Sequence, residues 1–353
     1  MNQQIKKIAT HVRPHLDEIV AIWLLSMFGE ERYPGAAEAT IEYWAGGGET
    51  PTGQPASEYE ANGYLLVGTG GGRFDEHGRN GDKGKEGDCA ATLVAKDLGI
   101  DQDAALAKIL KFTLTNDLRG ASHPFDLAAM IKSMYQLYPE DSERVIAWAI
   151  DALNAKYLEQ KAFVDAQTTE LENAEVLTIT AGAKEFTMVV VESDNEHVSK
   201  AARSKDGLDA AIVVQKRSRG NVQIYTNKRH GLQLLDLAQM LRLEEQHLKG
   251  RMVTTDWKVL VAEGKVEGAE EWYYHHEGQM LLNGSLSAPD VPPTNISLDR
   301  IKQAIIIAVN PRCLPEHCAD SRQCTFRDCR WYGLGLHRCR KIRYEMNKAK
   351  AEA

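Results

Sequence analysis

The stretch Ile5-Lys6-Lys7-Ile8-Ala9-Thr10-His11-Val12-Arg13-Pro14-His15-Leu16-Asp17-Glu18 decides how the chain is read. Ile5 to Ala9 is a short apolar run that predicts a first strand, and Ile19 to Phe28 has the apolar density of a buried helix. The turn between them then lies at the carboxyl end of a strand, where open α/β sheets hold their ligands. Further along, Gly70-Gly71-Gly72-Arg73-Phe74-Asp75-Glu76-His77 adds a glycine-rich turn ending in two more carboxylates and another imidazole. Asp17 and Glu18 also suit a helix N-terminus on electrostatic grounds alone. Their combination with the histidines and the second acidic turn points to a hydrolytic metal site.

Outward from this stretch the alternation continues through Ile41 to Trp44, Tyr64 to Val67 and Ala90 to Leu98, an α/β pattern expected to form a largely parallel sheet with helices on its faces. Gly46 to Gly63, rich in Gly, Pro, Thr and Ser, reads as a surface loop. Glu140 to Glu175 has a long helical period, with Val145, Ile146, Trp148, Ala149, Ala152, Leu153 and Leu158 on one stripe, and is expected to connect two domains. A second α/β pattern follows, with strands over Val176 to Thr180 and Phe186 to Val191. Ala210 to Gln215 and Asn221 to Thr226 read as a hairpin about Arg217 to Gly220. Leu234 to Leu248 and Leu298 to Val309 read as helices, Glu271 to His275 as a strand, and Ala288 to Asn295 as a Pro-rich loop.

At 353 residues the chain suggests two domains with an appendage. A balance of 43% hydrophobic to 26% charged residues is that of a globular protein. There is no run of eighteen apolar residues, and Met1 to Lys7 is polar, so a cytoplasmic protein without a membrane partner is expected. A net charge of −8 argues against uniform coating of nucleic acid, but it conceals an asymmetry. From Arg312 onward ten Lys or Arg face five Asp or Glu, so this tail is +5 and the remainder −13.

His11, His15 and Asp17 are spaced so that one tight turn can aim them at one cavity, with Asp75, Glu76 and His77 converging from a second strand end. Asn116-Asp117 follows an apolar helical run, Ala104 to Leu114, and precedes Arg119. Carboxylates and imidazoles without thiols suit manganese, magnesium or zinc. A pair of such ions activates water and stabilises both oxygens of a phosphoryl transfer.

At these residues the chain resembles the DHH phosphoesterases, and within them the melanocyte-proliferating-gene (Myg-type) branch of metal-dependent nucleases. Thr10-His11, His15 and Asp17-Glu18 match the branch's H-x-x-x-H-x-D-E spacing. Gly70-Gly71 and Arg73-Phe74-Asp75-Glu76-His77-Gly78-Arg79 stand against its R-Y-D-H-H-Q-R, Cys89 to Val94 fits the following helix, and Asp117 fits a later acidic motif. The resemblance covers residues 5 to 130 and, more faintly, the region to 310. It implies His11 and His15 on one ion, Asp17, Glu76 and Asp117 on the other, manganese or magnesium as the metal, His77 facing the scissile phosphate, and Asp75 orienting its neighbours. It also implies a DHH-like catalytic domain over 1–140, a connecting helix over 141–175 and a smaller substrate-clamping α/β domain over 176–310. His275 and His276, in Tyr273-Tyr274-His275-His276-Glu277-Gly278, and Arg119 are its candidate phosphate contacts. Two departures stand out: where the family has a metal-bridging Asp the chain has Val67-Gly68-Thr69-Gly70, and the first His of the family signature is Glu76, whose extra charge can compensate in part.

The segment 311–353 holds Cys313, Cys318, Cys324, Cys329 and Cys339, while Cys89 stands alone. Such crowding reads as metal ligation, by zinc or alternatively an iron-sulfur cluster. Arg322, Arg327, Arg330, Arg338, Arg340, Lys341 and Arg343, interleaved with Phe326, Trp331 and Tyr332, offer phosphate contacts and stacking faces. The expectation is therefore a metal-dependent phosphoesterase acting on an oligonucleotide or nucleotide phosphodiester. Its rival is a catalytically degenerate relative that binds nucleic acid or a nucleotide without hydrolysing it.

Overall fold

The computed structural model describes residues 4–45, 49–77, 87–120, 122–181 and 183–309, together with Lys348 and Ala351. The five tail cysteines expected to bind metal, and Gly78 and Arg79 of the second motif, lie outside the described residues. The chain divides into two compact units, Met1–Val164 and Asp165–Ala353.

In the first unit β1 (Lys7–His11) leads into α1 (Leu16–Phe28), followed by β2 (Thr40–Trp44), α2 (Ala56–Glu60), β3 (Tyr64–Leu66), α3 (Ala90–Leu98), α4 (Ala107–Arg119), α5 (Leu127–Leu137) and α6 (Ser142–Asp165). The three strands form a parallel sheet in the order β2-β1-β3, with Ala9 opposite both Glu42 and Leu66. Ile8, Ala9 and Thr10 are buried, as a central parallel strand covered on both faces requires. Helix α1 packs against α3, α4 and α5, and every residue from Leu16 to Leu25 is buried. It is apolar all round after its first turn, so it runs through the core and carries Asp17 and Glu18 inside with it.

Three expectations need correction in this unit. The loop expected over 46–63 contains the short helix α2. Helix α4 extends through Arg119, so Asn116 and Asp117 sit in its last turn and do not follow it. The helix expected over 141–175 is α-helical to Asp165 and continues in π and 3-10 turns to Asn173, across the boundary of the two units, but Glu175 already begins a strand. Its residues Val145, Ile146, Ala149, Leu153 and Tyr157 are buried in the first unit's core, while Leu158 points away and is 62% exposed.

In the second unit β4 (Glu175–Ala181), β5 (Lys184–Glu192), α7 (Val198–Arg203), β6 (Ile212–Lys216), β7 (Val222–Thr226), α8 (Leu235–Leu248), α9 (Trp257–Leu260), β8 (Tyr273–His275), β9 (Met280–Leu282) and α10 (Leu298–Val309) follow in order. The six strands form one sheet in the order β4-β5-β6-β7-β9-β8. Only β5 and β6, joined through α7, run parallel. β6 and β7 form the expected hairpin, closed by the Arg217 N–H donating to Asn221 O at 2.8 Å. Buried Arg242 on α8 donates to the carbonyls of Leu260, Ala262, Gly264 and Trp272, pinning the irregular segment after α9 to the helix. Among the described residues no helix is long and apolar enough to cross a membrane.

Trp23 tests the place of α6. Its indole lies edge-on to Phe28 and Tyr157 and donates to Asn154 Oδ1 at 2.8 Å, tying α1 to α6. Trp23→Ala is expected to cost about 3–5 kcal/mol in urea denaturation, against about 0.5 kcal/mol or less for Leu158→Ala. Equal effects would contradict the docking of α6 in the first core.

Candidate metal centre

The strand order β2-β1-β3 makes the chain leave β1 toward opposite edges of the sheet, so a crevice opens at the carboxyl ends of β1 and β3. His11 is the last residue of β1, His15 the N-cap of α1, and Asp17 and Glu18 lie in the first helical turn. The turn after β3 brings Asp75, Glu76 and His77 back, with Val67 bridged to Phe74. Ligand atoms of His11, His15 and Glu18 lie within 4.8 Å of one another, and so do those of Asp17, Glu18 and Glu76, and of Asp75, Glu76 and His77.

Asp17 and Glu18 are each 2% exposed. Glu18 folds back so that Oε2 accepts the His15 N–H at 2.7 Å, as a residue in the first helical turn can, and Oε1 lies 3.0 Å from His11 Nε2. His11 Nδ1 lies 2.9 Å from the Val12 carbonyl. Both partners are acceptors, and a ring with hydrogen on both nitrogens would satisfy the two. Its pKa is raised by the Glu18 hydrogen bond, against the effect of burial. A ring held through Nδ1 by a backbone carbonyl with Nε2 in an anionic cluster is oriented as a metal-ligating histidine would be.

Asp75 is buried and does different work. Its Oδ2 accepts the Gly71 N–H at 2.7 Å and its Oδ1 accepts from the His77 N–H at 3.1 Å and faces His77 Nδ1 at 3.0 Å. The carboxylate thus closes the glycine-rich turn and orients the exposed His77 ring, which the charges of Glu76 and Asp75 hold above its usual pKa although burial acts the other way.

Two carboxylate oxygens, Asp17 Oδ2 and Glu76 Oε2, are buried with no hydrogen-bond partner. Burial, then the charges of Glu18, Asp117 and Glu76, push Asp17 well above the carboxylate range. Burial chiefly, with Glu18 and Asp117 adding, pushes Glu76 up to about 7. Burial would raise Glu18 too, but the His11 hydrogen bond and the charges of His11 and His15 outweigh it and hold the group low. A buried carboxylate oxygen without a donor is stable only when protonated or bound to a cation. The donor set, oxygen and imidazole nitrogen, fits manganese or magnesium. Cys89, the N-cap of α3, is buried with its thiol pushed up to about 12, and is outside these ligand groups.

Of the residues expected at the site, the structure brings His11, His15, Asp17, Asp75, Glu76 and His77 together. Asp117 is exposed at the end of α4 and lies outside the close ligand groups, although its carboxyl is raised by burial and by Glu18. Arg119 ends the same helix, exposed. His275 and His276 belong to the second unit, at the β8–β9 turn, where His275 Nδ1 accepts the Gly278 N–H at 3.0 Å. The residue that sequence reasoning matched in the first motif but did not place among the ligands is Glu18, whose only signal was its place beside Asp17.

No family model and no curated protein matches the chain. Among solved structures it is similar to an uncharacterized protein from Helicobacter pylori, with 10% identity, a TM-score of 0.27, and 87% of this chain and 99% of that one covered. A likeness at that level carries no argument about fold or function.

Protons and cations compete for this cluster, which sets a pH dependence. Glu76 has a folded-state pKa of about 7 against an ordinary 4.5, so the stability it contributes is present below about 4.5 and lost as pH rises through about 7. The raised His11 acts in the same direction. In EDTA the Tm is expected to fall between about pH 5 and about pH 8, and manganese is expected to raise it far more at the higher pH, where no proton needs displacing. A Tm indifferent to manganese at both pH values would contradict the site.

Proposed function

We propose that the protein is a metal-dependent phosphoesterase that hydrolyses a phosphodiester in an oligonucleotide or nucleotide, related to the DHH phosphoesterases it resembles. The observation that carries this reading is the pair of buried, partnerless oxygens on Asp17 and Glu76 within a cluster of carboxylates and imidazoles at a sheet switch point. Divalent cations bound there would supply Lewis acidity and an activated water. His11, His15, Asp17, Glu18 and Glu76 would hold them. His77, exposed and fixed through Nδ1 by Asp75, is placed to donate or accept a proton at Nε2 beside a substrate phosphate. Gly68, which leaves the family's bridging position without a carboxylate, favours the second reading, a binder of nucleic acid or nucleotide that does not cleave.

Turnover of bis(p-nitrophenyl) phosphate with manganese separates the two. The wild-type protein is expected to cleave it, and Asp17→Asn to lose at least about 100-fold in rate, since even indirect support of a metal ligand is worth about 10–100-fold. In EDTA the same variant is expected to melt no lower than wild type, because the amide is neutral, as burial and the neighbouring carboxylates already make Asp17 without a cation. Full turnover in Asp17→Asn would sink the catalytic assignment; no turnover in the wild type, with manganese bound, would leave the binder.

A further inference from the structure

We infer that Glu18 is the carboxylate shared by two divalent cations, and that it stands where a side chain from position 68 would otherwise stand. The inference rests on reading the cluster as a metal centre and adds to it the number of ions and the residue that joins them.

Three observations converge on Glu18. It is the member common to the group with His11 and His15 and to the group with Asp17 and Glu76. Its Oε1 lies 3.0 Å from His11 Nε2, and ligand atoms about 3 Å apart are what an octahedral ion with bonds of about 2.1 Å spans. Next to it, Gly68 has φ +60°, and a Cβ built there would lie 2.6 Å from Glu18 Cγ and 2.7 Å from Oε1. The space into which any residue at 68 would project is therefore already filled by the Glu18 side chain. The left-handed backbone at 68 favours glycine and the Glu18 side chain leaves no room for a Cβ there, so a carboxylate missing from β3's end is supplied from α1's first turn. The partnerless Asp17 Oδ2, on a residue 2% exposed, marks where the second ion's other ligands lie. Charge agrees: once ionised, Asp17, Glu18, Glu76 and, at longer range, Asp117 would bring four negative charges, which two divalent cations match.

The test is titration of the full chain with manganese, a hard cation for which thiols are poor ligands, followed by calorimetry and by electron paramagnetic resonance. Wild type is expected to take two ions at this cluster with a spectrum broadened by coupling between them. Glu18→Gln, which keeps an oxygen to accept the His15 N–H, is expected to take one, or two without coupling. Pairing Glu18→Ala with Gly68→Asp returns a carboxylate to the same space from the other side and is expected to restore the coupled pair, Asp being among the residues that tolerate a left-handed φ. Coupled ions persisting in Glu18→Gln, or a single ion in wild type, would overturn the role of Glu18 and leave the metal centre standing. No manganese bound by wild type would remove the metal centre itself. Should Glu18→Gln melt well below wild type in EDTA, the paired variant decides: folded and uncoupled, it overturns the inference.

Discussion

Everything distinctive about the first unit follows from negative charge held in its interior at the start of α1. Asp17, Glu18 and Glu76 are close enough to share a cation, and the positive charges that act on them most strongly are the imidazoles of His11, His15 and His77. An uncompensated ionised group inside a protein costs several kcal/mol, so the fold would not tolerate this cluster charged and bare. Protons on Asp17 and Glu76 relieve it, and divalent cations bound there would relieve it where those protons are lost. The helix contributes a smaller term, since its N-terminal N–H groups and dipole favour carboxylates in the first turn.

The fold delivers these groups by simple means. A parallel strand order that reverses about β1 opens a crevice at the carboxyl ends of β1 and β3. A helix apolar on every side must be buried, so its first turn is buried too, and its acidic residues face the crevice rather than solvent. Across from it, Asp75 shapes the glycine-rich turn by accepting the Gly71 N–H, which is what places Glu76 and His77 beside Glu18. The rigidity comes from packing and the chemistry from the loops that packing positions.

Much of this was legible because period and burial agree. The strands β1, β2 and β3 and the helices α1 and α3 all follow runs of apolar residues that leave little choice of structure. α5 was missed although Leu127 to Ile131 is an unbroken apolar run; of the helix only Ala128, Ile131 and Tyr135 are buried. α6 was seen as a helix leading from one unit to the next, but a stripe on one face does not say which core it meets. At the site, residue types and spacing pointed to His11, His15, Asp17 and Glu76. Glu18 was hidden because two adjacent acids at a helix start have an electrostatic explanation that needs no ligand. Only the volume beside Gly68 shows what Glu18 occupies, and volume is a three-dimensional fact. Asp117, an exposed motif position at the end of α4, lies outside the close ligand groups yet feels the cluster's field.

The central claim is that this buried cluster is built to hold divalent cations. Anomalous diffraction from crystals grown with manganese addresses it directly. The account predicts two peaks about 3.5–4 Å apart, one within bonding distance of His11, His15 and Glu18 and the other of Asp17, Glu18 and Glu76. No anomalous peak at these residues, with Asp17 and Glu76 instead paired through a shared proton at neutral pH, would contradict it.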